Sequence, residues 1–455
     1  MDSKSVAVAG LLLAVSACAT TPRSPVEERP AVDSIVEGER VRQSIPGLSV
    51  VITRGGQVLH ARGYGIADRE SGTRATPQTV YQIGSISKQF TAAGILRLTE
   101  RGLLSLQDRV IDVLPDLSDG WSAVRLSHLL HHTSGVPEFL FLPEFGALNA
   151  DLDRPAGELQ ALIARQPLQF PPGGQWSYSN SNYTLLAAVI ERISGMPYER
   201  FLEQEFFQPL GLASIHHCTP HPTAAHHARG YGLRDGSVVA TPPENMNTAR
   251  GDGGLCASAE DLARWGWALA TGKAVDARSY ELMTTPDPLR DGTIPAYGCG
   301  LSLVDLDGRR KVAHHGAMTG FTGMLAIYPD DDLIIAVLAN RGGLWADGIE
   351  KAITREMLGL PRPDLRERPL SPGESRRYEG TYDVGAFTVR IVERDGRLWM
   401  ETPPPAPTAP LLHLEEGTFV AATEPDAIRL VFAGKKLTLS MAGMHWYGSQ
   451  IDRTD

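Results

Sequence analysis

Two spacings of apolar residues alternate along this chain, and their order lays out most of its elements. Leu48 to Thr53 and Val58 to Arg62 are rich in β-branched residues and are joined through Gly55-Gly56, the pattern of a hairpin. Phe90, Ala92, Ile95, Leu96 and Leu98 then recur at helical spacing. They follow Tyr81-Gln82-Ile83-Gly84-Ser85-Ile86-Ser87-Lys88, in which Gly84 and Ser85 interrupt an apolar run and predict a helix start. Helical periodicity returns over Tyr183 to Ile193, Tyr198 to Phe207 and Ala259 to Ala270, with stops at Gly195 and Gly272. Strand-like runs come next at Gly298 to Val304, Arg310 to His314, Phe321 to Tyr328 and Leu333 to Asn340, then a helix over Gly348 to Leu358. Strands at both ends of a helical middle predict an α+β fold, one antiparallel sheet flanked by helices with an all-helical subdomain.

Composition narrows the partners. With 455 residues, 42% of them hydrophobic, the chain has ample material for a large core and more than one domain. A net charge of −10 and the absence of any basic block argue against nucleic acid. Val6 to Val15 is an apolar run behind Lys4, long enough for a signal peptide and too short to span a bilayer. It ends in Val15-Ser16-Ala17-Cys18, which resembles a bacterial lipoprotein box, with Cys18 the lipidated residue. A plain secretory signal cut near Ala19 is the alternative. The expectation is a leader over 1–18, a disordered tether over 19–34, and an exported protein lipid-anchored to the cell envelope, on the periplasmic side in a Gram-negative cell. Cys218, Cys256 and Cys299 remain, and three cannot all pair within one chain. Buried free thiols are the expectation.

Three constellations carry candidate chemistry. Lys88 lies one helical turn from Ser85, where a buried amine can take the proton of a hydroxyl that is otherwise a poor nucleophile. The pattern Ser-x-x-Lys alone recurs by chance in many chains. Pro171-Pro172-Gly173-Gly174-Gln175-Trp176-Ser177-Tyr178-Ser179-Asn180 adds Tyr178 and Asn180 on a loop, where polar side chains can point into a cleft. His314-His315-Gly316-Ala317 follows at a strand end. The three together, in this order, are a far rarer coincidence than any one.

With these motifs the chain resembles the serine β-lactamase and penicillin-binding-protein superfamily, in the class C-like branch that also holds family VIII esterases and D-aminopeptidases. The resemblance covers residues 35 to about 360, giving a hydrolase domain over 35–362. The tail from Tyr378-Glu379-Gly380-Thr381-Tyr382 resembles the small lipocalin-like β-barrel domain that follows such hydrolases, here over 370–455. The resemblance implies Ser85 as nucleophile, Lys88 as its proton acceptor and Tyr178 as the shuttle to the leaving group, the base being Lys88 or Tyr178. Asn180 orients the lysine and substrate, and the backbone N–H groups of Ser85 and Ala317, beside Gly316, form the oxyanion hole. His314 stands where a lactamase has the lysine that grips a substrate carboxylate, which favours esters or amides without that charge. The implied activity is an acyl-enzyme hydrolase of small acyl or D-amino-acid substrates. The alternatives are a β-lactamase or D-Ala-D-Ala carboxypeptidase, or a non-hydrolytic penicillin-binding sensor. The chemistry leaves no role for a cofactor. His216, His217, His221, His226 and His227 crowd around Cys218, but a Pro-containing loop separates them and the reading is a surface loop with no metal. Gly251-Asp252-Gly253-Gly254 reads as a tight turn lining the cleft before a helix at Ser258. Oligomeric state is not legible.

Overall fold

The computed structural model describes residues 29–220, 226–343, 346–385, 387–402 and 408–451. Cys18 and the expected leader lie outside them. The first element is a helix, Pro30–Arg42, so residues 30–34 belong to the fold rather than to the expected tether. Pro30 loses no hydrogen bond in the first helical turn, and Asp33 there suits the helix dipole. Val32 and Val36 are buried, and that packing outweighs the charged, Pro-rich composition.

That helix covers one face of a six-stranded antiparallel sheet ordered Thr73–Arg74, Gln57–Asp68, Gly47–Arg54, Leu333–Ala339, Phe321–Tyr328, Val312–Met318. The central pair joins the start of the domain to its end, Val50 opposite Val337 and Ile52 opposite Ile335. Leu48, Val50 and Ile52 face Val32, Val36, Ile349 and Ile353 on one side. Val51, Ala336 and Leu338 face the helical side, whose core includes Phe90 and Trp265, stacked with centroids 4.1 Å apart. Burial on both faces is why these strands read as continuous apolar runs. The sheet ends on Val312–Met318, an edge strand that Ser302 bridges at Ala313 and that borders the cleft beyond it.

The expected strand Gly298 to Val304 is instead a turn held by isolated bridges of Ser302 to Tyr297 and Ala313. Gly300 takes φ +70° there, and a Cβ on it would lie 2.7 Å from the Lys88 carbonyl oxygen. The segment buttresses the helix Lys88–Glu100 rather than extending the sheet.

A small sheet ordered Val80–Gln82, Leu255–Ser258, His216–His217 lies beside the nucleophile turn. It corrects the reading of the cysteines. His216 pairs with Cys256, Cys218 N–H donates to Gly254 O at 2.8 Å, and Cys218 and Cys256 form a disulfide. Sequence spacing gave no sign that residues 216–218 run beside residues 254–256. Cys299 is free and buried, as expected.

The C-terminal strands, from Gly380–Asp383 to Met444–Ile451, close into an eight-stranded barrel whose first and last strands pair. It is fastened to the helix Ala346–Leu358 by Arg355 to Asp426 at 2.6 Å and by Lys351 Nζ to Asp426 O at 2.8 Å. Ser302 Oγ donates to Gly443 O.

Candidate active site

Ser85 sits on a single 3₁₀ turn, Gly84–Ser87, that runs straight into the helix Lys88–Glu100. The turn is clamped from two sides. On the edge-strand side, Gly84 adopts φ +51° and a Cβ there would meet Ala317 N and O at 2.6 Å, while a Cβ on Gly316 would collide with Ile83 O. Only glycine at both positions allows the approach. On the other side, Ile83 N–H donates to Leu255 O at 3.0 Å and Leu255 N–H to Ser87 Oγ at 3.1 Å. Ser85 is half-buried and Ala317 exposed, so the groove between them opens outward.

Lys88 is fully buried. Its Nζ lies 3.0 Å from Ser85 Oγ, 2.6 Å from Asn180 Oδ1 and 2.8 Å from Asp252 O. Burial brings its ammonium down to about 8, with Asp252 and Glu138 opposing. The two carboxyls are themselves raised by burial, Asp252 to about 7. Asn180 opens the helix Asn180–Ser194, and its backbone N–H donates to Glu138 Oε2 at 2.5 Å. The Gly251–Gly254 segment is the cleft-lining turn that the sequence suggested, and Ser258 caps the following helix by accepting from Asp261 N–H at 3.2 Å.

Tyr178 stands beside this group, its ring centroid 4.9 Å from Lys88 Nζ. Its hydroxyl is buried and makes no hydrogen bond among the described residues. Burial pushes the phenol well above its usual range, so it is protonated at neutral pH. The ring is wedged between His132, centroids 4.4 Å apart, and Trp446 of the barrel at 5.9 Å.

His314 does not present a donor to open solvent. It is fully buried, with Nε2 2.9 Å from Tyr297 OH and Nδ1 2.6 Å from His315 O. Burial, reinforced by Lys88, holds it down at about 3, so the imidazole is neutral. His315 points to the other face of the strand, 3.0 Å from Thr322 Oγ1.

The structure thus gathers Ser85, Lys88, Tyr178, Asn180, His314, Gly316 and Ala317 around one cleft. Sequence reasoning read His132, before Thr133-Ser134-Gly135, as fold-determining, and passed over Glu138, Asp252, Tyr297 and Trp446. Of these only Asp252 left a signal, a carboxyl inside a Gly-rich turn already assigned to the cleft. The histidine group also changes. His216 and His217 stand half-buried on a strand rather than on a surface loop, and His221 lies outside the described residues.

The arrangement is a hydroxyl beside a depressed-pKa amine, a protonated phenol, and two backbone N–H groups on facing segments. It suits acyl transfer to serine. A family model described as Beta-lactamase matches residues 32–356. PbpX of Bacillus subtilis (strain 168), named as a candidate penicillin-binding protein, is 30% identical over 292 residues, 64% of this chain and 70% of its own. The octameric penicillin-binding protein homologue from Pyrococcus abyssi is similar in structure, with a TM-score of 0.68 and 25% identity over 92% of this chain and 99% of that one. A D-stereospecific amidohydrolase from Streptomyces sp. gives a TM-score of 0.61 and 25% identity over 73% of this chain and 99% of its own.

Proposed function

The chain belongs to the Beta-lactamase family of serine hydrolases, and from that premise we propose that it cleaves esters or amides of small acyl groups or D-amino acids through an acyl-enzyme on Ser85. The observation that carries the proposal is the Lys88 amine, held within hydrogen-bonding distance of Ser85 Oγ by two fixed acceptors, Asn180 Oδ1 and Asp252 O. A neutral amine has two N–H bonds and one lone pair. With its two hydrogens given to those acceptors, the lone pair faces the serine hydroxyl, and Lys88 rather than Tyr178 is the base of the resting enzyme.

In the proposed reaction Ser85 Oγ attacks the carbonyl carbon while its proton passes to Lys88 Nζ. The developing oxyanion is met by the N–H groups of Ser85 and Ala317. Tyr178 gives its phenolic proton to the leaving oxygen or nitrogen and is reprotonated from Lys88. Water then attacks the acyl-enzyme carbonyl and gives a proton to the same pair, the bond from that carbon to Ser85 Oγ breaks, and Lys88 returns a proton to Oγ as the acid leaves. The neutral, enclosed His314 supports substrates lacking a carboxylate at that subsite, and the likeness to the Streptomyces amidohydrolase supports D-configured amides. A non-hydrolysing sensor has less support because the pair Lys88 and Tyr178 that activates water is present, and a β-lactamase or D-Ala-D-Ala carboxypeptidase has less because the neutral His314 offers no cation to a substrate carboxylate.

The test is labelling with a fluorophosphonate together with a panel of p-nitrophenyl esters, D-aminoacyl amides, D-Ala-D-Ala peptides and nitrocefin. Wild type should label and turn over neutral esters or amides with higher kcat/KM than nitrocefin, and Ser85→Ala should do neither. Labelling that survives Ser85→Ala removes the nucleophile assignment, and faster turnover of nitrocefin removes the substrate class. Export as a Cys18-anchored lipoprotein belongs to the same proposal. A fatty-acid analogue should mark the wild type and not Cys18→Ser, because stable anchoring takes more than one acyl chain; an unlabelled soluble wild type overturns it.

A further inference from the structure

Across the small sheet beside the nucleophile turn, three side chains fall in one row. Gln82 pairs with Cys256, and Cys256 pairs with His216, so all three stand on the same face. His227 joins them from the chain that bridges Val80, its ring centroid 5.1 Å from that of His216. One donor atom from each of His216, His227 and Cys256 lies within 4.8 Å of the others. Cys218 Sγ is bonded to Cys256 Sγ, which places a fourth donor at the same point.

Each donor is prepared for a cation in its own way. His216 Nδ1 lies 2.9 Å from Ser214 O, which fixes the ring and leaves Nε2 as the free ligand atom. His227 stands half-buried with its ring facing that of His216. Gln82 Oε1 is buried and has no partner among the described residues. His227, Gln82 and Cys256 all line one cavity of about 610 Å³, which gives an entry path. Tetrahedral zinc, with bonds of about 2.0–2.3 Å, needs donors roughly 3.3–3.8 Å apart, so the row closes with shifts of about an ångström.

We propose that reduction of the Cys218–Cys256 disulfide converts this row into a soft-metal site, in which Cys218, Cys256, His216 and His227 bind one zinc-like divalent cation. A dithiol reductant supplies two electrons and two protons, the S–S bond breaks and two thiols form. Binding the cation then releases both protons and leaves two thiolates and two neutral imidazoles around it. The disulfide sulfur is a poor ligand, so oxidised protein lacks the thiolate half of the site. The site is one peptide from Leu255, whose backbone clamps the Ser85 turn.

The test uses the whole chain with Co²⁺ as a spectroscopic stand-in and Zn²⁺ as competitor, and needs no hydrolytic activity. Reduced wild type should take up one equivalent, show tetrahedral cobalt bands with thiolate-to-metal charge transfer, and lose them to Zn²⁺. Oxidised wild type should bind at least tenfold more weakly and without the charge-transfer band. Cys218→Ser frees the Cys256 thiol without any reductant and should bind in air. Cys256→Ser leaves the Cys218 thiol and should weaken the charge transfer, the double Cys218→Ser, Cys256→Ser variant should abolish it, and His227→Ala should weaken binding at least tenfold. The proposal is overturned if reduced wild type and Cys218→Ser bind no metal at micromolar concentration, or if oxidised and reduced protein bind alike. Loss of hydrolysis in Ser85→Ala leaves every one of these readouts unchanged.

Discussion

Among the described residues Lys88 has three hydrogen-bond neighbours, and of these only the Ser85 hydroxyl can give it a proton. Its titration therefore sets the pH dependence of acylation. Because burial brings Lys88 down to about 8, kcat/KM for a neutral ester should rise with pH and level off above that value. Asp252 opposes the burial effect by favouring the ammonium. Asp252→Asn keeps the backbone acceptor and removes the charge, so the rising limb should move to lower pH; a pH profile that does not move means the carboxyl is not felt at Nζ. Tyr178→Phe should lower kcat by about 10²–10⁴-fold, the usual size of a general acid–base contribution, while leaving the near-ultraviolet signature of the fold in place. At this scale the sequence was informative about identity and silent about exposure. Ser85, Lys88, Tyr178 and Asn180 were found by their motifs, whereas the enclosure of His314 by Tyr297 depends on a turn that no spacing announces. Asp252 and Glu138 were missed because a carboxyl becomes a neighbour of Lys88 only once distant loops have been folded onto it.

The elements that carry these residues are held by close backbone approaches. The Ser85 turn meets the edge strand at Gly84 and Gly316, with no room for a Cβ at either. Gly316→Ala should push the Ser85 and Ala317 N–H groups apart, and loss of one oxyanion donor costs about 10²–10³-fold in kcat. Substrate KM should change far less, which a steady-state series would separate. On the opposite face of the sheet, Lys311 and Glu350 form a buried ion pair, and Glu350 also accepts from Tyr328 OH and Thr354 Oγ1 at 2.7 Å each. Lys311→Met leaves that carboxylate unpaired, and removing one partner of such a pair costs about 3–5 kcal/mol. Urea unfolding would read it, and a double Lys311→Met, Glu350→Gln variant should recover part of the loss. The long helices and doubly buried strands were legible because their apolar spacing is continuous. The short pieces were not: Gly298 to Val304 has the composition of a strand but two glycines that turn it, and His216–His217 is a strand only because Leu255–Ser258 lies beside it.

At the scale of the whole molecule, the barrel is part of the cleft. Trp446, on its last strand, packs against Trp176 with centroids 5.7 Å apart and against Tyr178 at 5.9 Å, while Tyr447 reaches Trp176 at 6.5 Å. The polar fastening through Arg355 and Asp426 lies elsewhere, on the helix Ala346–Leu358. The tail's resemblance to a small barrel domain predicted a β-barrel there, but its strand count and its place over the tyrosine follow from closure and docking, which a linear sequence does not record. The two contacts make separable predictions. Removing the indole in Trp446→Ala deletes one wall of the Tyr178 pocket, so kcat/KM for esters with bulky leaving groups should rise relative to p-nitrophenyl acetate. Loss of that wall also loosens the Tyr178 ring, so absolute kcat on the small ester should fall. Arg355→Ala weakens the fastening without touching the cleft, and should lower thermal stability while leaving the bulky-to-small ratio unchanged. If Trp446→Ala and Arg355→Ala shift the ratio equally, the barrel acts only through its attachment; if Trp446→Ala leaves the ratio where it was, the indole is packing and the pocket is bounded by Trp176 and His132 alone.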